Sequence, residues 1–298
     1  MNFLVSLMMA ENAYQQDQAA AASEAARRLG AHVEILYAEN DAITQSQQLL
    51  SVIQSSSADS RPDAIVCQPV GTTLKQVASE AMARGIGWAL LNREDQYLAE
   101  LQGMNRPSFC ITIDQGEIGR IQARQFGALL PKGGIVLYIL GPSINPVFRQ
   151  RTAGMESTKP QNIQITGLRG KLTEQSGYDA IASWLKLSTS RVTPVSLIAG
   201  QNDNMAIGAR RAFESILSGE ERERWCRLPF TGCDASPRAG QEWIRAGLLT
   251  ASIFMPPTAG LAIETMAQAI QTKKQPPLRK QLIPTSFPPI ESLPKPQA

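Results

Sequence analysis

The chain has 298 residues, more than the size at which a single hydrophobic core usually stops growing, so two lobes are expected. Lys and Arg number 29 against 26 Asp and Glu, a net charge of +3 with no basic block and no interleaving of basic and aromatic residues, which points away from nucleic acid as a partner. One His and four Cys, with no C-x-x-C pair and no His/Cys cluster, provide no zinc site and read as buried free thiols.

Phe3 to Met9 is the first strand-like run. Glu11-Asn12-Ala13-Tyr14 follows it, then an Ala-rich helix from Gln18 to Leu29 that Gly30 ends. Strand Val33 to Tyr37, helix Ala42 to Gln54, strand Ala64 to Cys67, helix Thr73 to Arg84, strand Trp88 to Leu91 and strand Phe109 to Ile113 continue the pattern. After Asp114 the cycle restarts with helix Ile118 to Leu130 and strand Gly134 to Leu140. Helix Phe148 to Glu156, strand Ile163 to Gly167, helix Ser176 to Leu187 and strand Val195 to Ala199 come next. Helix Asn204 to Leu217, strand Leu228 to Gly232, helix Arg238 to Ala246, strand Thr250 to Phe254 and an amphipathic helix Thr258 to Gln271 complete it. Alternation of this kind predicts parallel sheets covered by helices on both faces. The Pro-rich tail from Pro276 has no such pattern and is expected to wrap or link.

One stretch stands out within this order. In Pro194 to Phe213 a short apolar strand gives way to a helix, and between them lies Gly200-Gln201-Asn202-Asp203. A βα loop needs one capping residue, whereas three adjacent amide and carboxylate side chains exceed that need. In open α/β sheets, ligands lie in the crevice beyond the strand C-termini, where this stretch falls. Phe3 to Met9 reads as a strand and not as the apolar core of a secretory signal, which leaves open both an exported protein whose leader has been removed and a cytoplasmic one. No segment approaches the roughly 20 apolar residues of a membrane helix.

Several strings together carry a resemblance. They are Asn12 and Tyr14 after the first strand, Asn92-Arg93, Phe148-Arg149-Gln150-Arg151-Thr152-Ala153-Gly154, Gln201-Asn202-Asp203-Asn204-Met205-Ala206-Ile207-Gly208, and Thr231-Gly232-Cys233-Asp234. From Phe3 to about Lys273 the chain resembles the ribose-type periplasmic sugar-binding proteins, the class I solute-binding proteins, and it is similar to the sensor cores of lac-repressor-like regulators. The resemblance implies an α/β protein of two Rossmann-like lobes with parallel sheets, joined by a three-segment hinge and closing on a ligand in the cleft. Residues 1–114 and 256–278 would form the N-terminal lobe, and 115–255 with 279–298 the C-terminal one. It places Asn12, Tyr14, Gln15, Asn92 and Arg93 on one wall, and Arg149, Asn202 and Asp234 on the other. These groups suit a polyhydroxyl ligand, since Asp234 can accept, the arginines can donate in a fixed fork, and the amides can do both.

The chain departs from the family pattern at three positions. Leu172 stands where a ring-stacking aromatic is common, Gln15 replaces another aromatic, and Met255 stands where the ribose type carries a cleft glutamine. A less hydroxylated sugar, a deoxy-sugar or another small polar metabolite would fit such a site. The resemblance implies partners of one of two kinds: a membrane importer or receptor that takes the loaded protein, or a signalling partner of a cytoplasmic sensor. Catalysis finds no support, because G-x-G-x-x-G, G-x-S-x-G and a P-loop are absent and His32 lies before the second strand, away from every strand C-terminus. No cofactor and no metal are called for.

Overall fold

A computed structural model describes residues 1–55, 61–71, 74–104, 106–143 and 145–295. The chain divides into two compact units, Met1–Ile113 with Pro256–Leu282, and Asp114–Met255 with Ile283–Ala298.

In the first unit β1 (Asn2–Leu7), β2 (His32–Tyr37), β3 (Ala64–Cys67), β4 (Gly87–Leu91), β5 (Ser108–Ile113) and β11 (Arg279–Leu282) form a six-stranded sheet in the order β11-β5-β4-β3-β1-β2. Every pairing in it is parallel. β3, β4 and β5 are buried along their whole length, the reason they read as continuous apolar runs and not as alternating ones. The helices are α1 (Ala13–Arg28), α2 (Ala42–Ile53), α3 (Lys75–Ala83), α4 (Tyr97–Leu101) and α11 (Ala259–Thr272). One face of the sheet packs Leu49, Ile53, Val77, Met82 and Leu98 around Trp88. The other packs Ala22, Ala25, Ile263 and Met266 around Phe3 and Phe109.

In the second unit β6 (Gly134–Leu140), β7 (Ile163–Arg169), β8 (Val195–Gly200) and β9 (Phe230–Thr231) form a sheet in the order β7-β6-β8-β9, again parallel. Parallel bridges from Thr231 to Ala251 and from Asp234 to Phe254 extend it to β10 (Ser252–Phe254), which pairs antiparallel with β12 (Thr285–Phe287). Its helices are α5 (Gln115–Leu129), α6 (Pro146–Thr158), α7 (Glu174–Leu185), α8 (Asp203–Ile216), α9 (Gly219–Cys226) and α10 (Gly240–Arg245). Phe213, Trp225, Trp184 and Phe230 form an aromatic core on one face, and Phe126, Tyr138 and Met155 pack on the other.

Two helix pairs come close enough for backbone contact. A Cβ at Gly119 of α5 would lie 2.0 Å from Arg151 O of α6, and one at Gly154 of α6 would lie 2.1 Å from Gly116 O. Gly177 of α7 and Gly208 of α8 approach in the same reciprocal way, at 2.2 Å from Met205 O and 1.9 Å from Glu174 O. These contacts set the depth of α6 and of the α8 N-terminus, both of which carry site residues. Gly154→Ala should therefore lower stability by about 2 kcal/mol, since rigid backbone cannot yield to an added methyl. Urea unfolding with an unchanged slope and a lower midpoint is the expected result, and an unchanged midpoint would contradict it.

Three expectations are corrected. The Pro-rich tail contributes two strands, and because β11 pairs with β5, Arg279–Leu282 belong to the first unit and not to the second. α1 begins at Ala13 and not at Gln18, so Tyr14 and Gln15 lie in its first turn. α4 and α9 were not foreseen at all. The helix start expected at Thr73 lies outside the described residues.

Candidate functional site

In both units polar side chains gather just beyond the C-terminal ends of parallel strands. In the first unit the cluster begins at the Asn12 N-cap, whose Oδ1 accepts from Gln15 N at 3.2 Å and starts α1. Gln15 Oε1 accepts from Met8 N at 3.0 Å, and its Nε2 donates to Gln68 Oε1 at 3.2 Å. Gln68 directly follows β3, and its carbonyl is fixed by Gln45 Nε2 at 2.9 Å. The Tyr14 hydroxyl accepts from Gln18 Nε2 at 2.8 Å and donates to Asn92 Oδ1 at 3.2 Å. Asn92 directly follows β4 with φ of 61°, a left-handed conformation that asparagine tolerates better than most residues.

Gln18, fully buried, organises this network. Its Oε1 accepts from Thr258 N and Ala259 N, at 2.9 and 2.8 Å, and so caps α11, which Thr258 itself does not cap with its side chain. Gln18→Ala would orphan both amides and remove the donor that the Tyr14 hydroxyl accepts from, leaving its bond to Asn92. A loss of about 2 kcal/mol is expected, read as a lower urea midpoint, and unchanged stability would show that the α11 N-terminus finds other acceptors.

Arg93 is 7% exposed. Its Nη1 donates to Gly71 O at 2.7 Å, and its Nη2 pairs with Asp95. The Nε is buried and has no hydrogen-bond partner among the described residues.

In the second unit the centre is Arg151, 4% exposed on α6. Its Nε donates to Gln115 Oε1 at 2.8 Å, Nη1 to Gln201 O at 2.8 Å, and Nη2 to Met255 Sδ at 3.2 Å. Cys233 Sγ lies 3.6 Å from Nη1, and the guanidinium sits 5.3 Å from the Phe148 ring centroid. Burial holds the Cys233 thiol well above its ordinary range, so this neighbour is a neutral sulfur and not a thiolate. Met255 is thus a soft acceptor for the buried arginine. Arg149, the arginine singled out from the sequence, is exposed on the same helix, outside this cluster. Phe148, Arg151 and Met155 share the buried face because they are three and four residues apart.

Asn202 caps α8, accepting from Met205 N at 2.9 Å, while its Nδ2 donates to Leu172 O at 2.8 Å. Leu172 has φ of 69° and packs its side chain on the core of this unit, so Asn202 holds a strained turn in place. Gln201, fully buried, accepts from Gly141 N at 2.8 Å and donates to Thr152 Oγ1 at 2.9 Å. Asp234, 9% exposed, has φ of 124° and joins β10 through Asp234 N to Ile253 O at 3.0 Å.

In the first unit Tyr14 and Asn92 are therefore joined through hydrogen bonds, Asn12 and Gln15 lie beside them at the start of α1, and Arg93 follows Asn92 in sequence but bonds to Gly71 O and Asp95 instead; Asn202, Asp234 and Met255 lie at strand ends in the second. Gln18, Gln68, Gln115 and Arg151 are not among the residues that the sequence marks as candidates, whereas Asp203 belongs to the polar loop it marks. Gln68 and Asn92 carry the same signal, a polar residue directly after a buried strand, and helical spacing from Phe148 would have marked Arg151. Among the described residues no group of three or more His, Cys, Asp and Glu could hold a metal, and no helix is long and apolar enough to cross a membrane.

Two doubly wound α/β units, linked at Ile113–Asp114, Met255–Pro256 and Leu282–Ile283 and each ending its strands in a buried polar cluster, have the build of a ligand-capturing protein. The chain belongs to the family of the periplasmic binding protein domain, which matches residues 3–274. Among solved structures it is similar to an ABC transporter periplasmic solute-binding protein from Actinobacillus succinogenes with bound D-allose, at a TM-score of 0.80 and 21% identity over 96% of each chain. A protein from Mycobacterium smegmatis in complex with β-D-fucofuranose gives a TM-score of 0.79 at 19% identity, over 96% of this chain and 91% of that one. The Caulobacter myo-inositol-binding protein bound to myo-inositol gives 0.78 at 19%, over 96% and 92%. At such identities the likeness is one of fold. A comparison with curated proteins gave no match.

Proposed function

We propose that this protein captures a small carbohydrate or cyclic polyol with the polar residues at its strand ends and hands it to a membrane importer or receptor, as an exported binding protein without catalytic activity. The observation that carries the reading is a buried guanidinium beyond the strand ends of each unit, Arg93 beside Gly71 O and Asp95 and Arg151 among neutral acceptors. Among the described residues Arg93 leaves its buried Nε without a partner, a donor that a ligand hydroxyl would satisfy. Among the described residues Arg151 is held by neutral acceptors, Gln115, Gln201 O, Cys233 and Met255. Guanidiniums and amides offer fixed donors and a few acceptors, the complement of a ring of hydroxyls. On this reading Asn12, Gln15, Gln68, Asn92 and Arg93 face the ligand from the first unit, and Arg149, Arg151, Asn202, Asp234 and Met255 from the second. The bound D-allose, β-D-fucofuranose and myo-inositol of the similar structures agree with such a class.

The test is a thermal-shift screen over hexoses, pentoses, deoxy-sugars, inositols and nucleosides, with amino acids and organic anions as controls. A ligand at a hundredfold excess over its dissociation constant stabilises the folded state by about 2.7 kcal/mol, an easily measured shift. A shift confined to sugars or polyols is expected. A shift produced only by amino acids or anions would overturn the proposal.

A further inference from the structure

Asp203 is a buried carboxylate with no cation among its hydrogen-bond partners in the described residues. It is 2% exposed at the first position of α8, and its own amide donates to Cys233 O at 2.7 Å. Its Oδ1 accepts from Ser252 Oγ at 2.5 Å and its Oδ2 from Ala235 N at 2.8 Å. A Cβ at Gly232 would lie 2.1 Å from Oδ1, and one at Gly240 would lie 2.1 Å from Oδ2, so the carboxylate occupies space that two glycines leave open. Between those glycines the chain makes a turn in which Asp234 and Ala235 both have positive φ, 124° and 42°. Two successive non-glycine residues in that region are strained, and such a turn persists only where its surroundings hold it.

We propose that Asp203 is the positioning residue of the second unit's cluster: by gripping Ala235 N and Ser252 it locks the left-handed turn at Asp234–Ala235 and so fixes the place of the Asp234 carboxylate. The inference rests on the binding role proposed for Asp234. The α8 N-terminus meets this turn directly, and Asn202, one residue earlier, holds the Leu172 turn, so adjacent side chains set two separate loops of the site.

Burial pushes the Asp203 carboxyl up to about 6 from an ordinary value of 3.8, more than its hydrogen bonds from Ser252 and Ala235 lower it. The ionisable groups around it are Cys233, kept neutral by burial, Asp234, and Arg151, which reaches Cys233; Ser252 of β10 and Gly240 of α10 bring no charge. Because the closed turn favours the protonated acid, its extra protection is complete below about 3.8 and is lost as pH rises through about 6.

The test is amide hydrogen exchange of the full chain without ligand, with Ile198 of β8 as the control amide. Asp203→Ala should speed exchange at Ala235 about tenfold or more while Ile198 keeps its rate, since the buried amide loses its shorter, carboxylate acceptor at 2.8 Å and keeps only Ser252 Oγ at 3.2 Å. Asp203→Asn, which retains an acceptor for Ala235 and can donate to Ser252 Oγ, should restore protection and abolish its pH dependence between 3.8 and about 6. Unchanged exchange at Ala235 in Asp203→Ala, or a loss shared equally by Ile198, would overturn the proposal. Calorimetry with D-allose and with myo-inositol separates this inference from the binding role. If Asp234→Asn keeps wild-type affinity while Asp203→Ala frees Ala235, the binding role fails and the positioning role stands. If Asp234→Asn loses affinity while Asp203→Ala leaves Ala235 protected, the positioning role fails.

Discussion

Asp234→Asn should weaken sugar binding about thirtyfold and leave the urea midpoint near that of the native protein. A carboxylate accepts hydroxyl hydrogen bonds roughly twice as strongly as a neutral amide, so exchanging two such bonds costs about 2 kcal/mol of affinity. Asparagine is the right substitution because Asp234 has φ of 124°, and a residue that tolerates positive φ keeps backbone strain out of the measurement. The main-chain bonds of Asp234 to β10 are unaffected by the change. Titration calorimetry beside urea unfolding reads both quantities. Intact affinity with lowered stability would show that Asp234 serves the turn and not the ligand.

Arg151→Lys should be the most damaging conservative change in the second unit, with a loss of about 3 kcal/mol in stability and at least tenfold in affinity. Lysine keeps the charge but not the fork, and one ammonium cannot reach Gln115 Oε1, Gln201 O and Met255 Sδ together. Each buried acceptor left unpaired costs about 1–3 kcal/mol. Gln115 opens α5 directly after the Ile113–Asp114 link, and Met255 immediately precedes the Met255–Pro256 link. Arg151 therefore ties the roots of two connecting segments to the loop that carries Asn202. Equal stability of the lysine variant would mean that these contacts contribute little, and the arginine would then be a ligand donor alone.

Much of the fold could be read from the residues because most strands are buried on both faces, and such strands appear as apolar runs wherever they lie. β3 and β6 have the bounds that the sequence suggests. What escaped lacks that signature. β11 is Arg-Lys-Gln-Leu, almost wholly exposed, and it is a strand only because the distant β5 offers a free edge. α9, Gly-Glu-Glu-Arg-Glu-Arg-Trp-Cys, buries Trp225 alone and so shows no apolar period. Within the candidate site, Asn202 stood out through its surplus of polar neighbours after an apolar strand. Arg151 did not, because a charged residue on a helix is read as solvated until the face it shares with Phe148 and Met155 is considered. Asp203 belongs to the same polar loop as Asn202, but its burial is not legible there. A carboxylate at the start of a helix looks like an ordinary favourable charge there, and only the packing of Gly232, Gly240 and Ser252 around it shows that it is buried.

The claim that the protein closes on capturing a sugar is tested most directly by small-angle scattering of the protein alone and saturated with a sugar identified by the thermal-shift screen. A chain linked at three points and carrying a polar cluster in each unit should close on its ligand, giving a smaller radius of gyration at saturation. An unchanged radius with the sugar demonstrably bound would contradict closure and place the binding site within a single unit.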